Sequence, residues 1–171
     1  MTEKSPRPAL FLDRDGVLNE DPGYVYRWED FRWMPGARET VAAFNAKGWW
    51  VFVITNQSGV GRGYYTEIDV QTLHAQMSSS LAEVGGHIDA YFYCPHHPQA
   101  ADPAYRHPDP PDRKPNPGML LKAMTQFPVD LERSLMVGDK DTDMEAARRA
   151  GVRGLKFAGG DLWAFLRAEL G

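Results

Sequence analysis

The sequence predicts an α/β protein, a three-layer α/β/α sandwich built on a mainly parallel sheet. Two observations carry this: short apolar runs alternate with helically periodic segments from end to end, and polar clusters fall directly after the apolar runs. Such alternation in one short chain implies parallel strands with helices on both faces. At 171 residues, 43% hydrophobic and 25% charged, the chain has the length and balance of a single globular domain spanning 1–171.

The elements follow in order. Ala9-Leu10-Phe11-Leu12 is short and apolar and ends in a polar cluster, as a buried strand does. Pro35-Gly36 opens a helical pattern with Ala37, Val41 and Phe44 on one face, and Gly48 is placed to stop it. Trp49 to Ile54 is the strongest strand signal in the chain. Thr66 and Asp69 have capping-box spacing, and Val70, Leu73, Met77 and Leu81 continue as one helix face. Asp89 to Tyr93 reads as strand, and a proline-rich loop runs from Pro95 to Pro115. Met119 to Phe127 reads as helix, Ser134 to Val137 as strand, and Asp141 to Ala150 as helix stopped by Gly151. Arg153 to Phe157 is a last strand, after which Asp161 can cap a helix carrying Leu162, Phe165 and Leu166.

A formal net charge of −4 offers no basic excess for a nucleic-acid backbone, so an anionic substrate needs a local cluster of cations. The single cysteine, Cys94, allows no intrachain disulfide and points to a reducing compartment. Met1 to Pro8 lacks the apolar core of a signal peptide and reads as a flexible tail. No stretch approaches the roughly 18 apolar residues of a membrane span. A cytoplasmic monomer is expected, with no nucleic-acid or membrane partner.

In open parallel sheets, ligands sit beyond the carboxyl ends of the strands, where strand order reverses. Asp13–Gly16, Thr55–Ser58 and Gly138–Asp143 each follow a predicted strand, and Arg113-Lys114 closes the loop after a fourth. Asp13 can attack phosphorus and split a difficult hydrolysis into two easier steps. Asp15, two positions on, can protonate the leaving alkoxide and later deprotonate water. Two anions beside a phosphate need a cation, and Mg²⁺ suits all-oxygen ligands. The Thr55 hydroxyl can hold a phosphoryl oxygen, Lys114 can neutralise it, and Arg113 can clamp another oxyanion. Asp139 can supply a second carboxylate to the metal, with Asp143 orienting its waters. Taken singly, each piece has an ordinary explanation in turn composition, solvated surface or helix capping. Their order at four strand ends carries the inference.

These residues resemble the haloacid dehalogenase (HAD) superfamily, whose four ordered motifs match Asp13/Asp15, Thr55, Lys114 and Asp139. Phe11 to Asn19, Asp21 to Val25, Thr55 to Gly59, Cys94 to Pro98 and Arg113 to Met119 are similar to its heptose-bisphosphate and histidinol-phosphate phosphatases. The resemblance implies a Rossmann-like, capless fold, a phosphoryl group carried on Asp13, and Mg²⁺ bound by Asp13, Asp15 and Asp139. It implies Asp15 as acid/base, Thr55 and Lys114 as phosphoryl stabilisers, and the heptose precursor of lipopolysaccharide as the product's destination. Substrate contacts are expected from Arg14, Arg113 and Lys140, from the turn Asp21, Pro22, Gly23, Tyr24, and from Asn56, Gln57 and Ser58.

Spacing agrees with a capless chain. The 39 residues between Asp15 and Thr55, and the 58 between Thr55 and Lys114, leave no room for a folded lid of roughly 50 residues beside the elements they must hold. Members of the family often carry a structural zinc, and Cys94 and His96 match its first ligand pair. Pro110 and Asp112 stand where two cysteines belong. His107 and Asp109 are the residues left to complete a tetrahedral set. Zinc is not expected, since Pro103, Pro108, Pro110 and Pro111 can stiffen the loop instead. Two other readings remain open: hydrolysis of another small phosphate monoester, and a phospho-accepting signalling domain, against which the acid/base position of Asp15 argues.

Overall fold

The structure, a computed structural model, describes residues 5–171. Strands β1 (Ala9–Leu12), β2 (Trp50–Asn56), β3 (Ala90–Cys94), β4 (Leu135–Gly138) and β5 (Arg153–Lys156) form one sheet. Its order is β3-β2-β1-β4-β5 and every pairing is parallel. Leu12 of β1 stands opposite Val53 on one side and Val137 on the other, which explains a run with no polar alternation. The chain lays down β1, β2 and β3 outward, then returns to place β4 against β1. Strand order therefore reverses between β1 and β4, and the carboxyl ends of those two strands frame the crevice.

Successive strand side chains point to opposite faces. Leu10, Leu12, Val51, Val53 and Val137 pack against α1 (Ala37–Ala46), α2 (Glu67–Ala82) and α5 (Leu162–Leu166). Phe11, Phe52, Ile54 and Met136 pack against α3 (Gly118–Gln126) and α4 (Asp141–Ala150). Each large buried side chain contributes roughly 2 kcal/mol of transfer free energy. The Thr66–Asp69 capping box forms as the spacing predicts, and Gly151 ends α4 with φ +78°.

Three expectations are adjusted. β2 runs on to Asn56 because β3 offers it a partner as far as Cys94. Phe165 is 39% exposed, so the core face of α5 is Leu162 and Leu166, and Phe165 only leans on the Phe157 ring. Of the tail expected at Met1 to Pro8, residues 1–4 lie outside the described ones, whereas Arg7 is docked. Its backbone pairs with Pro128 and Asp130, and its guanidinium lies 3.4 Å from the Trp50 ring centre.

Between Asp15 and Thr55 the chain forms a 3-10 turn, α1 and most of β2; between Thr55 and Lys114 it forms α2, β3 and the proline-rich loop. Neither interval holds a lid. Among the described residues no helix is long and apolar enough to cross a membrane.

Candidate active site

Asp13 stands one residue past β1, tied to β4 by its N–H on the Val137 carbonyl at 3.0 Å. Asp139 follows β4 directly, and Asp143 lies in the first turn of α4. One carboxylate oxygen from each of these three falls within 4.8 Å of the others. Lys114 comes from the far side of the proline-rich loop and is buried. Its Nζ donates to Asp13 Oδ1 at 2.9 Å and to the Ile54 carbonyl at 2.9 Å, and pairs with Asp143 Oδ1 at 2.6 Å. All three ammonium donors are used. Burial alone would lower the lysine, but Asp13 and Asp143 outweigh it and the net shift is upward. Burial pushes Asp13 well above the ordinary carboxylate range; Lys114 opposes this, and Asp143 and Asp15 add to it.

Asp15 stands beside this group and takes no part in it. Its Oδ1 accepts from Arg14 Nε (3.1 Å) and Asn19 Nδ2 (2.9 Å), and its Oδ2 from Arg14 Nη2 (3.2 Å) and Gln57 Nε2 (3.1 Å). Both Asp15 oxygens thus accept from protein donors, and among the described residues the acidic cluster is formed by Asp13, Asp139 and Asp143. Arg14, expected to contact substrate, is fully buried beneath the site and grips Asp15. The two-residue spacing that puts Asp13 and Asp15 on one side sends Arg14 to the other.

The Thr55 hydroxyl is buried and accepts from Gln57 Nε2 at 2.9 Å. Gln57 is itself held by Tyr65, whose hydroxyl donates to its Oε1 at 2.6 Å. Asn56, expected to reach substrate, lines the cavity, and its side-chain amide clasps the backbone of Lys114 in both directions, at 3.0 and 3.2 Å. This anchors the lysine's segment to the end of β2. Tyr65 carried no signal of its own. The nearest hint is Gly59, where a Cβ would lie 2.3 Å from the Tyr65 ring.

These groups open into a cavity of about 370 Å³. Asp13, Asp15, Gln57, Ser58, Lys114 and Asp143 line it, together with two further cations, Arg113 and Lys140. Arg113 Nη1 is buried with no hydrogen-bond partner. At the rim Asp21 Oδ1 accepts from Gly23 N–H, and Tyr24 adopts φ +53° with its ring edge-on to Tyr64. Pro22 turns outward and lines a shallower neighbouring hollow.

The proline-rich loop does not bring Cys94, His96, His107 and Asp109 into one ligand set among the described residues. Cys94 is buried in the core under α3, and His96 tilts against Tyr105. His107 Nδ1 accepts from Asp109 N–H, and Asp109 Oδ1 from Asn116. Tyr105 donates to Glu67 at 2.8 Å and so staples the loop to α2.

The cluster of Asp13, Asp139 and Asp143 fits a hard divalent cation on its own chemistry. Three carboxylates face one ammonium, every donor atom is oxygen, and Asp139 Oδ1 is buried without a partner. Gly16, at φ +88°, clears the space: a Cβ there would fall 2.2 Å from Asp139 Oδ2.

The chain is similar to several known proteins. A family model described as HAD-hydrolase-like matches residues 112–161. A relative from Rhodopseudomonas palustris, named D-glycero-beta-D-manno-heptose-1,7-bisphosphate 7-phosphatase, is 46% identical over 175 residues, covering 99% of this chain and 94% of the relative. The protein of that name from Escherichia coli K12 is 43% identical, covering 85% of this chain and 75% of its own. Among solved structures, a HAD-like phosphatase from Mesorhizobium loti superposes with a TM-score of 0.85 at 39% identity, covering 92% of this chain and 75% of that one. The D,D-heptose 1,7-bisphosphate phosphatase of B. bronchiseptica, solved with magnesium and phosphate, gives 0.79 at 33% identity, covering 94% and 86%.

Proposed function

The chain belongs to the HAD-like family of D-glycero-D-manno-heptose-1,7-bisphosphate 7-phosphatases, and on that footing we propose that it removes the 7-phosphate of such a heptose bisphosphate by way of a phosphoryl group carried on Asp13. One observation carries the reading. A buried carboxylate at the end of β1 sits 2.9 Å from a buried lysine, both lining a cavity whose other cations, Arg113 and Lys140, are free to hold a second phosphate.

In the first step an Asp13 oxygen attacks phosphorus and the bond from phosphorus to the sugar oxygen breaks. Asp15 gives its proton to the departing alkoxide. In the second step Asp15 takes a proton from water, whose oxygen attacks the phosphorus and frees Asp13 and inorganic phosphate. Lys114 balances charge on the phosphoryl oxygens in both, and Gln57 couples Thr55 to Asp15 so that neither can drift. Asp13, Asp139 and Asp143 would hold Mg²⁺, which when bound polarises the phosphoryl oxygens as a Lewis acid. The reaction would serve synthesis of the heptose precursor of lipopolysaccharide in the cytoplasm.

The deciding experiment compares kcat/KM on heptose 1,7-bisphosphate and on histidinol phosphate with Mg²⁺. The bisphosphate should be strongly preferred, and a higher value on histidinol phosphate would sink the substrate assignment. A second prediction concerns the cradle of the cation. Gly16→Ala should cost about 1–3 kcal/mol of stability through its positive φ. By displacing Asp139 it should also raise the half-saturating Mg²⁺ concentration at least about tenfold. A Mg²⁺ titration of activity beside a thermal melt checks both.

A further inference from the structure

We propose that His74, on α2 and outside the cavity, is a positioning residue that fixes the aim of Asp15 by holding the outer edge of the Arg14 guanidinium. The inference rests on the reading of Asp15 as the acid of the proposed reaction and adds to it a residue that no substrate touches.

Arg14 is wholly buried, where a guanidinium must spend its donors on fixed acceptors. Its inner edge takes Asp15 through Nε and Nη2. Its outer edge has two further partners: the Val25 carbonyl, 2.7 Å from Nη2, and His74 Nε2, 3.3 Å from Nη1. A guanidinium accepts nothing, so Nε2 must be the acceptor, which leaves the neutral ring with its proton on Nδ1. Burial, and then the Arg14 charge, hold the imidazole down at about 3, so it stays neutral at any working pH.

The imidazole is itself braced. It stacks on Tyr91 of β3 with ring centres 4.4 Å apart and 13° between planes, and the Tyr91 hydroxyl is 2.8 Å from Ser78 Oγ on α2. A rigid line therefore runs from β3 and α2 through His74 and Arg14 to the carboxylate at the end of β1. Packing alone does not explain a histidine here. The neighbouring core positions of α2 are Leu73, Met77 and Leu81, and an apolar residue at 74 would leave Nη1 of a buried cation without this acceptor. Without it only the Val25 carbonyl holds that edge, and the added freedom of the guanidinium is passed to Asp15. Asn19 and Gln57 still hold the carboxylate, so the effect should be partial.

The test measures steady-state kinetics of His74→Phe, His74→Gln and Asp15→Asn on heptose 1,7-bisphosphate, whose alkoxide leaves poorly, and on p-nitrophenyl phosphate, whose phenolate needs little protonation. Phenylalanine keeps the stack on Tyr91 and removes the acceptor, whereas glutamine can still accept from Arg14. We expect His74→Phe to lose about tenfold in kcat/KM on the sugar phosphate, because that ratio reports the leaving-group step alone, with kcat/KM on the aryl phosphate within about twofold. His74→Gln should return most of that loss. Equal losses on both substrates, no loss on the sugar phosphate, or a glutamine variant as impaired as phenylalanine would each overturn the inference. If His74→Phe fails to fold, His74→Asn, too short to reach Arg14, replaces it under the same criteria. A leaving-group split in kcat/KM for Asp15→Asn with none at position 74 sinks this inference alone; no such split in kcat/KM for Asp15→Asn sinks the acid role on which it depends.

Discussion

Asp13→Asn is expected to lower kcat by at least about 10⁴-fold, the scale on which losing a nucleophile is felt, while the fold survives intact. The amide matches the carboxylate in shape. Its Oδ1 can still accept from the Arg14 backbone N–H at 2.9 Å and from Lys114. What disappears is the anionic oxygen that attacks phosphorus. The sign of the stability change is also predicted. Burial raises Asp13 on folding, and a carboxylate raised in this way costs stability as pH climbs above its ordinary range. Asparagine removes that cost, so in the presence of a chelator the variant should melt no lower than the parent at neutral pH. Appreciable turnover by a folded Asp13→Asn protein would refute the assignment.

Lys114→Met should be damaging in both respects. The ammonium is the sole cation touching Asp13 and Asp143 among the described residues, and all three groups are buried. Removing one partner of such a pair leaves uncompensated charge and costs about 3 kcal/mol or more. Loss of charge stabilisation at the phosphoryl oxygens should lower kcat/KM by about 10³-fold. Adding Asp143→Asn separates the two effects. The double variant should regain much of the lost stability, because one of the stranded anions is gone, and should regain none of the activity. A thermal melt and a steady-state assay on the single and double variants make the comparison.

The sequence was most legible where physics is local. β1, β2 and β4 read as uninterrupted apolar runs because a parallel sheet covered on both faces buries both sides of its central strands. Asp13 and Asp139 are legible because they follow β1 and β4, the two strands between which strand order reverses; Asp143 follows in α4, and Lys114 enters from the loop after β3. Side-chain direction was harder. Arg14 reads as a substrate cation by composition, whereas its side chain is fully buried. Nor does spacing show that the Asp15 oxygens accept from Arg14, Asn19 and Gln57. Tyr65 and His74 gave no warning, since their partners, Gln57 and Arg14, lie 8 and 60 residues away along the chain. Asn56 and Lys114 meet across 58 residues in the same way.

The central claim is that Asp13 itself carries the phosphoryl group between the two steps. The direct measurement is rapid acid quench during turnover of heptose 1,7-bisphosphate with Mg²⁺, followed by mass spectrometry of the peptide that contains Asp13. A transient species heavier by one phosphoryl group, located at Asp13, is expected, absent with chelator and absent in Asp13→Asn. Turnover at the parent rate with no modified peptide at any quench time, or with the added mass on another residue, would contradict it.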